Sequence, residues 1–356
     1  MILYAGSYSE MVVADFGGYG EGIYCFDFDA NNGSLQLMHV QTARNPSYLC
    51  IPSTKYLYTL TEIIEAKKPT VQVYEINKID YSLQLINEQE IPGGCPCHIN
   101  YSKKNNCILV ACYETGDTFI YPVEPNGELL PHSKQLLHEG SSINRLRQEK
   151  AHAHAVLVDD TTGNILIADL GIDKVLMYHI DTVNGVLAAT FKQAVSLPPG
   201  SGPRHIVFHP QTNDVFVLNE LTGTVTRIIY NNELFGDDKA YTILPETFKT
   251  TPSAAAIRVS ADGKFIYTSE RGDNSIAVLK FDHENETLEI IQRQDTMGKT
   301  PRDFILDPTG NWLLVANQDS DSIAIFRVDK NTGKIEPGNI VDNIKSPTCL
   351  AWLPIS

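Results

Sequence analysis

At 356 residues, the chain is long enough for two or three domains of about 150 residues each. Apolar residues at 42% and charged residues at 20% describe a globular chain, and no apolar run approaches the roughly 20 residues that a membrane-spanning helix needs. A net charge of −15 argues against a nucleic-acid partner and obliges any anionic ligand to find a local basic pocket.

The first predicted elements are three short strands, ILYAGSYS, GIYCFDFD and LQLMHVQTA. No basic region or long apolar stretch precedes them, so no signal peptide is expected. Seven scattered cysteines, an odd number, favour reduced thiols and the cytoplasm. From residue 45 onward a pattern recurs: an apolar segment, a polar turn, a strand of five or six residues, another turn, and an alternating strand. NPSYLCIPSTKYLYTLTE and CPCHINYSKKNNCILVACYETGDTFIYPV fit it with loose turns. AHAHAVLVDDTTGNILIADLGIDKVLMYHID, GPRHIVFHPQTNDVFVLNELTGTVTRI, SAAAIRVSADGKFIYTSERGDNSIAVLKFD and TPRDFILDPTGNWLLVANQDSDSIAIFRVD fit it closely. SPTCLAWLP supplies a first strand without followers.

The residues opening each first strand are Pro46, Pro96, Ala153, Pro203, Ala254, Pro301 and Pro347, spaced by 50, 57, 50, 51, 47 and 46 residues. Helical periodicity is nearly absent, and short strands bounded by Asp, Asn, Gly and Pro mark an all-β repeat. Seven units of four strands at this period predict a seven-bladed β-propeller of four-stranded antiparallel blades. The three N-terminal strands complete the last unit, so the chain (1–356) is expected to form one ring closed by both termini, not two or three domains. Closure removes two exposed sheet edges.

In a blade, the start of the first strand and the end of the second meet at one rim. Counting from the anchors places Cys97, His154, Arg204, Ala255 and Arg302 there, with Tyr113, Leu170, Glu220, Arg271 and Gln318 beside them. A one-residue slip puts Glu62 at the matching place in the first blade. Core positions stay Ile, Leu, Val, Phe and Ala from unit to unit, whereas the rim gathers acids, bases and cations. Ion pairs between blades are one use for such residues. A polar-ligand site at the channel mouth is the other. The net negative charge then belongs to the outside, and the site itself is expected to be basic.

The set EKAHAHAVLVD–ADLGIDKVLMY, GPRHIVFHP–VLNELTGTV, SADGKFIYTSERGDNSIAVLKFD and TPRDFILDPTGNWLLVANQDSDSIAIF resembles the seven-bladed lactonase family across essentially the whole chain. That family includes cycloisomerase-type 6-phosphogluconolactonases and carboxy-muconate cyclases. The resemblance implies catalytic roles for His154, Arg204, Glu220 and Arg271, with His152 a second candidate for the histidine. Ala151 stands where the family commonly has Pro. The implied reaction is hydrolysis of a phosphorylated sugar lactone, 6-phospho-D-glucono-1,5-lactone, by His/Glu acid–base catalysis with arginines binding substrate. Arg302, Glu62, Gln318, Arg147 and Lys299 are candidate substrate contacts. No cofactor or metal is expected, and no nucleic-acid or membrane partner; the pattern assigns no oligomeric state. Two rival readings are lactonisation of a muconate-like dicarboxylate and a non-catalytic propeller binding a ligand or a protein.

The remaining signals have plain readings. Ala-His-Ala-His sets two imidazoles at i and i+2 without further metal ligands. Cys95-Pro-Cys97 falls at an ordinary strand opening, and Cys107 and Cys112 read as core thiols. Asp319-Ser320-Asp321 falls in a turn, where such residues are expected. Of His205 and His209, one should face a neighbouring blade. The segment 131–150 is the longest interruption of the repeat and carries Arg145, Arg147 and Lys150; it is either a solvated loop or a cover over the mouth that contributes a phosphate contact.

Overall fold

The strand propensities above resolve into seven four-stranded antiparallel sheets arranged as a ring, with one additional two-stranded hairpin, in a computed structural model that describes residues 1–212, 214–231 and 234–355. Six inner strands open at the anchors Pro96, Ala153, Pro203, Ala254, Pro301 and Pro347. The first blade departs from the pattern. Its inner strand is only Leu49–Cys50, so Pro46 lies ahead of it. The seventh blade is assembled as the repeat implies: Pro347–Trp352 pairs with Ile2–Ser7, followed by Gly22–Asp29 and Ser34–Thr42.

Burial explains the sequence texture. Second strands such as Cys107–Cys112, Asn164–Asp169 and Trp312–Asn317 are buried along their whole length, because neighbouring blades cover both faces. They therefore read as continuous apolar runs and not as alternation. Outermost strands such as Ser34–Thr42 are largely exposed. The core is divided among the blade interfaces. Leu109 and Ile120 of the second blade meet Val156, Ile167 and Leu176 of the third. Closure is sealed on both sides of the last blade, by Leu3 and Phe26 against Leu314 and Ile325, and by Tyr4 and Ile23 against Leu57 and Tyr74.

Two features were not in the repeat. Lys134–Leu137 is the outer strand of the second blade, so the true interruption before the third blade is shorter than 131–150. The other is the hairpin of Met11–Val13 and Phe16–Gly17, inserted between the second and third strands of the closing blade, Ile2–Ser7 and Gly22–Asp29. Cys107 and Cys112 are buried core thiols. His209 bonds the Gly263 carbonyl of the next blade, while His205 meets the rings of Tyr48, His98 and His154 around the axis.

Candidate active site

The rim residues owe their placement to a backbone irregularity that recurs from blade to blade. Strand register shifts between Pro96 and His98, Ala153 and Ala155, Pro203 and His205, and Pro301 and Asp303. The residue skipped in each case is Cys97, His154, Arg204 or Arg302. A β-bulge leaves one residue out of the ladder and re-aims its side chain. Here it delivers four side chains to one mouth. The second-strand residues arrive differently, one position past the last ladder pair: the Tyr113 and Glu220 N–H groups bond the Cys95 and Gly202 carbonyls.

These residues line a cavity of about 530 Å³. Of the sequence-derived candidates, Glu62, Arg147, His152, His154, Arg204, Glu220, Arg271 and Arg302 are brought together there. Gln318 and Lys299 lie outside the lining; Gln318 reaches the Gly17 carbonyl at 3.4 Å, and Lys299 is exposed. Lys150 of the 131–150 segment lines the cavity and Arg145 does not; sequence reasoning missed Glu114 and Glu149, and also Val12, Val13 and Phe16 of the hairpin. Glu114 follows Tyr113 directly and Glu149 stands three residues before His152, so nearness in sequence was the available signal; the hairpin has no counterpart in other blades. The expectation of a simply basic mouth needs correction. Five cationic side chains face four carboxylates there, so the positive excess is local to one cluster.

That cluster surrounds Glu220. Its Oε1 lies 2.7 Å from Arg147 Nη2, and its Oε2 lies 3.0 Å from Arg204 Nε and 3.1 Å from Arg271 Nη2. Burial opposes ionisation of Glu220, but the three guanidinium groups hold its carboxyl well below the usual carboxylate range. Glu220 is thus a fixed anion and a poor proton acceptor. Burial and the neighbouring Arg271 bring Arg204 down to about 10, still cationic at neutral pH. Although close to Glu220, Arg204 Nε and Arg271 Nη2 are buried without a well-aligned hydrogen-bond acceptor among the described residues. Arg204 also donates to the Ala255 carbonyl, and Arg271 Nε to the Ser253 carbonyl at 3.0 Å.

The opposite side of the mouth is built from Arg302. Its Nη2 donates to the Tyr8 hydroxyl at 2.5 Å and sits 3.7 Å from Glu62 Oε1. Its guanidinium lies 5.0 Å from the ring centres of both Tyr8 and Phe16, within cation–π range. Asn45 ties this side down, accepting from the Ser9 and Glu10 N–H groups and donating to the Glu62 carbonyl.

The two histidines differ in kind. His152 Nδ1 is 2.7 Å from the Tyr113 carbonyl, which can only accept, so Nδ1 carries the proton. Nε2 is buried, 3.2 Å from Glu149 Oε1 and without a well-aligned hydrogen bond. The ring stacks on Tyr113 at 4.3 Å. His154 is also buried, with Nδ1 3.8 Å from Cys97 Sγ, and burial and Arg204 push its pKa well below the ordinary imidazole value. It stays neutral. The chain carrying His152 passes close to Gly171, where a Cβ would come within 1.9 Å of the Lys150 carbonyl oxygen.

A ring of seven four-stranded blades with a mouth of buried arginines, glutamates and histidines defines a propeller with an enzyme-like polar pocket. The lactonase, 7-bladed beta-propeller family matches residues 2–352, and the chain belongs to that family. It is 31% identical over 353 residues to a 6-phosphogluconolactonase of Bacillus subtilis, covering 98% of this chain and 97% of the relative. A 6-phosphogluconolactonase of Formosa agariphila is 33% identical, over 91% of this chain and 94% of the relative. Among solved structures, the periplasmic gluconolactonase of Pseudomonas aeruginosa superposes with a TM-score of 0.88 at 27% identity, covering 99% of each chain. The similarity to these proteins supports a sugar lactonase, and no helix among the described residues is long and apolar enough to cross a membrane.

Proposed function

We propose that the protein hydrolyses 6-phospho-D-glucono-1,5-lactone to the open-chain acid at this mouth. The observation carrying the reading is the clustering of Arg204 and Arg271, whose buried N–H groups lie 3.0 and 3.1 Å from Glu220 without well-aligned hydrogen bonds, in one cavity with His152, whose Nε2 has Glu149 3.2 Å away. Ester hydrolysis requires this combination: a base for water, and donors that strengthen their bonds as the carbonyl oxygen becomes an oxyanion. The names of the relatives favour the phosphorylated lactone, and the name of the Pseudomonas neighbour keeps the unphosphorylated one as a comparison substrate.

In this reading His152 Nε2 takes a proton from water, and the resulting hydroxide adds to the lactone carbonyl carbon. Arg204 and Arg271 hold the oxyanion. On collapse the bond from that carbon to the ring oxygen breaks, and the imidazolium returns its proton to the leaving ring oxygen, which becomes a hydroxyl. The new carboxylic acid then ionises to solvent. Family resemblance points to His154 as the base, but its burial beside Arg204 suits a neutral wall of the pocket better. Glu220 positions the arginines and takes no proton. Glu62 and Glu220 are both engaged by arginine, which favours a reaction without a metal. Seven free cysteines, five of them buried, suit a reducing compartment and hence the cytoplasm.

The test is lactone hydrolysis followed against the spontaneous rate, with and without a chelator. His152→Ala should lower kcat by about 10²- to 10⁴-fold, the usual range for a lost acid–base group, with the fold intact by circular dichroism. Wild-type rates in both His152→Ala and Arg204→Ala would overturn the assignment.

A further inference from the structure

We propose that Arg147, supported by Lys150, selects phosphorylated over unphosphorylated sugar lactones by binding the phosphoryl group at the rim; this rests on the lactonase reading above. The four mouth arginines are not equivalent. The Arg204, Arg271 and Arg302 side chains are 3%, 16% and 10% exposed, and backbone carbonyls or Tyr8 hold them in place. Arg147 is 40% exposed. It donates Nη2 to Glu220 and Nε to the Tyr113 hydroxyl at 3.3 Å, while its Nη1 has no partner among the described residues. Lys150 is exposed, lines the same cavity, and its ammonium forms no ion pair among the described residues. A phosphoryl dianion keeps much of its hydration until it is bound, so it suits two solvent-facing cations better than the buried arginines deeper in the mouth.

The segment bearing Arg147 is a built strap and not a slack loop. Asp173 accepts from Ser142 Oγ at 2.5 Å, Gln148 Nε2 at 2.7 Å and the Gly200 and Gly202 N–H groups at 2.7 Å. One carboxylate thereby ties the strap to the turn that leads into Arg204. His138 and Asp169 add a fully buried pair at 2.7 Å, and Asp169 also accepts the His152 N–H. The two carboxylates on this wall have other partners: Glu149 faces His152, and Glu114 accepts the Glu65 N–H at 3.0 Å.

The experiment compares kcat and KM for 6-phosphoglucono-1,5-lactone and glucono-1,5-lactone in the unmodified protein, Arg147→Ala, Arg147→Lys and Asp173→Asn. Loss of a charge-assisted phosphate contact predicts a KM for the phosphorylated lactone about 10- to 100-fold higher in Arg147→Ala. The preference between substrates should collapse by the same factor, with Arg147→Lys intermediate. Asp173→Asn, which touches no cavity atom, should shift the preference in the same direction, and competitive inhibition by inorganic phosphate should weaken in parallel. Equal losses of kcat on both lactones would overturn the proposal, since Arg147 would then act through Glu220 on the chemistry. An unchanged preference would overturn it as well. Failure of the unmodified protein to hydrolyse either lactone would instead overturn the lactonase reading itself.

Discussion

The two sides of the mouth use the same residue type to opposite ends. Around Glu220, three guanidinium groups share one carboxylate, leaving a surplus of positive charge and two buried donors without aligned acceptors. Around Arg302, one guanidinium meets one carboxylate, a hydroxyl and two aromatic rings, so charge and hydrogen-bonding capacity are both absorbed. Unspent electrostatic capacity can act on a substrate, whereas absorbed capacity holds a wall in shape. In the proposed reaction the first side serves the chemistry and the second the fit.

Substitutions can break that contrast. The largest effect is expected from Arg204→Ala, which removes a donor from the surplus side and should lower kcat by about 10²- to 10³-fold, read from lactone hydrolysis. Glu220→Gln should cost activity comparably by releasing three arginines, yet should leave the pH of the acidic limb of kcat/KM unmoved, because Glu220 is not the titrating base. Movement of that limb would reassign it.

An intermediate effect concerns pH and stability. His154 and His205 are held neutral by burial and by Arg204, with pKa values well below the ordinary one. Below about pH 6.5 the unfolded chain takes up protons that the folded state refuses, so stability is fully present above that value and falls with pH. Each histidine contributes a slope of at most about 1.4 kcal/mol per pH unit. Urea midpoints at pH 7.5 and 5.5 should show the decline, and His205→Gln should flatten it; an equal slope in the variant would count against the assignment.

On the side built for fit, Phe16→Ala removes one ring from Arg302 and should raise KM by about 3- to 10-fold with little change in kcat, as expected for an interaction of about 0.5–2 kcal/mol. A kcat loss as large as that of Arg204→Ala would erase the distinction between the sides. Smallest of all, Lys299→Ala should stay within about twofold of the unmodified rate, as for a surface substitution; its side chain is exposed and outside the lining.

The ring and its closure were legible because packing between blades forces the same apolar choices at a fixed period, and the anchors expose that period. The mouth residues were legible through a contrast: Cys97, His154, Arg204 and Arg302 occupy equivalent positions without sharing a type. The mechanism that aims them was not. A β-bulge depends on which residue is skipped in pairing, and no residue type encodes it uniquely. Phe16 and its hairpin were invisible for the opposite reason, since Met-Val-Val-Ala-Asp-Phe-Gly-Gly occurs in one blade and has no internal comparison. The surplus around Glu220 also had to await coordinates, because Glu114 and Glu149 alter the balance of charges without belonging to the repeat.

The closing blade has a consequence for how the protein comes into being. The hydrogen bond between Arg302 and Tyr8 spans 294 residues, and the strand that completes the ring, Pro347–Trp352, is the last of the described strands. During synthesis Tyr8 and Phe16 leave the ribosome long before Arg302 and must wait for it, and the ring cannot shut until Pro347–Trp352 has emerged. A nascent chain can therefore assemble the Glu220 cluster before the Arg302 wall exists. Catalytic activity is then a readout of the closing blade joined, not only of the other blades folded.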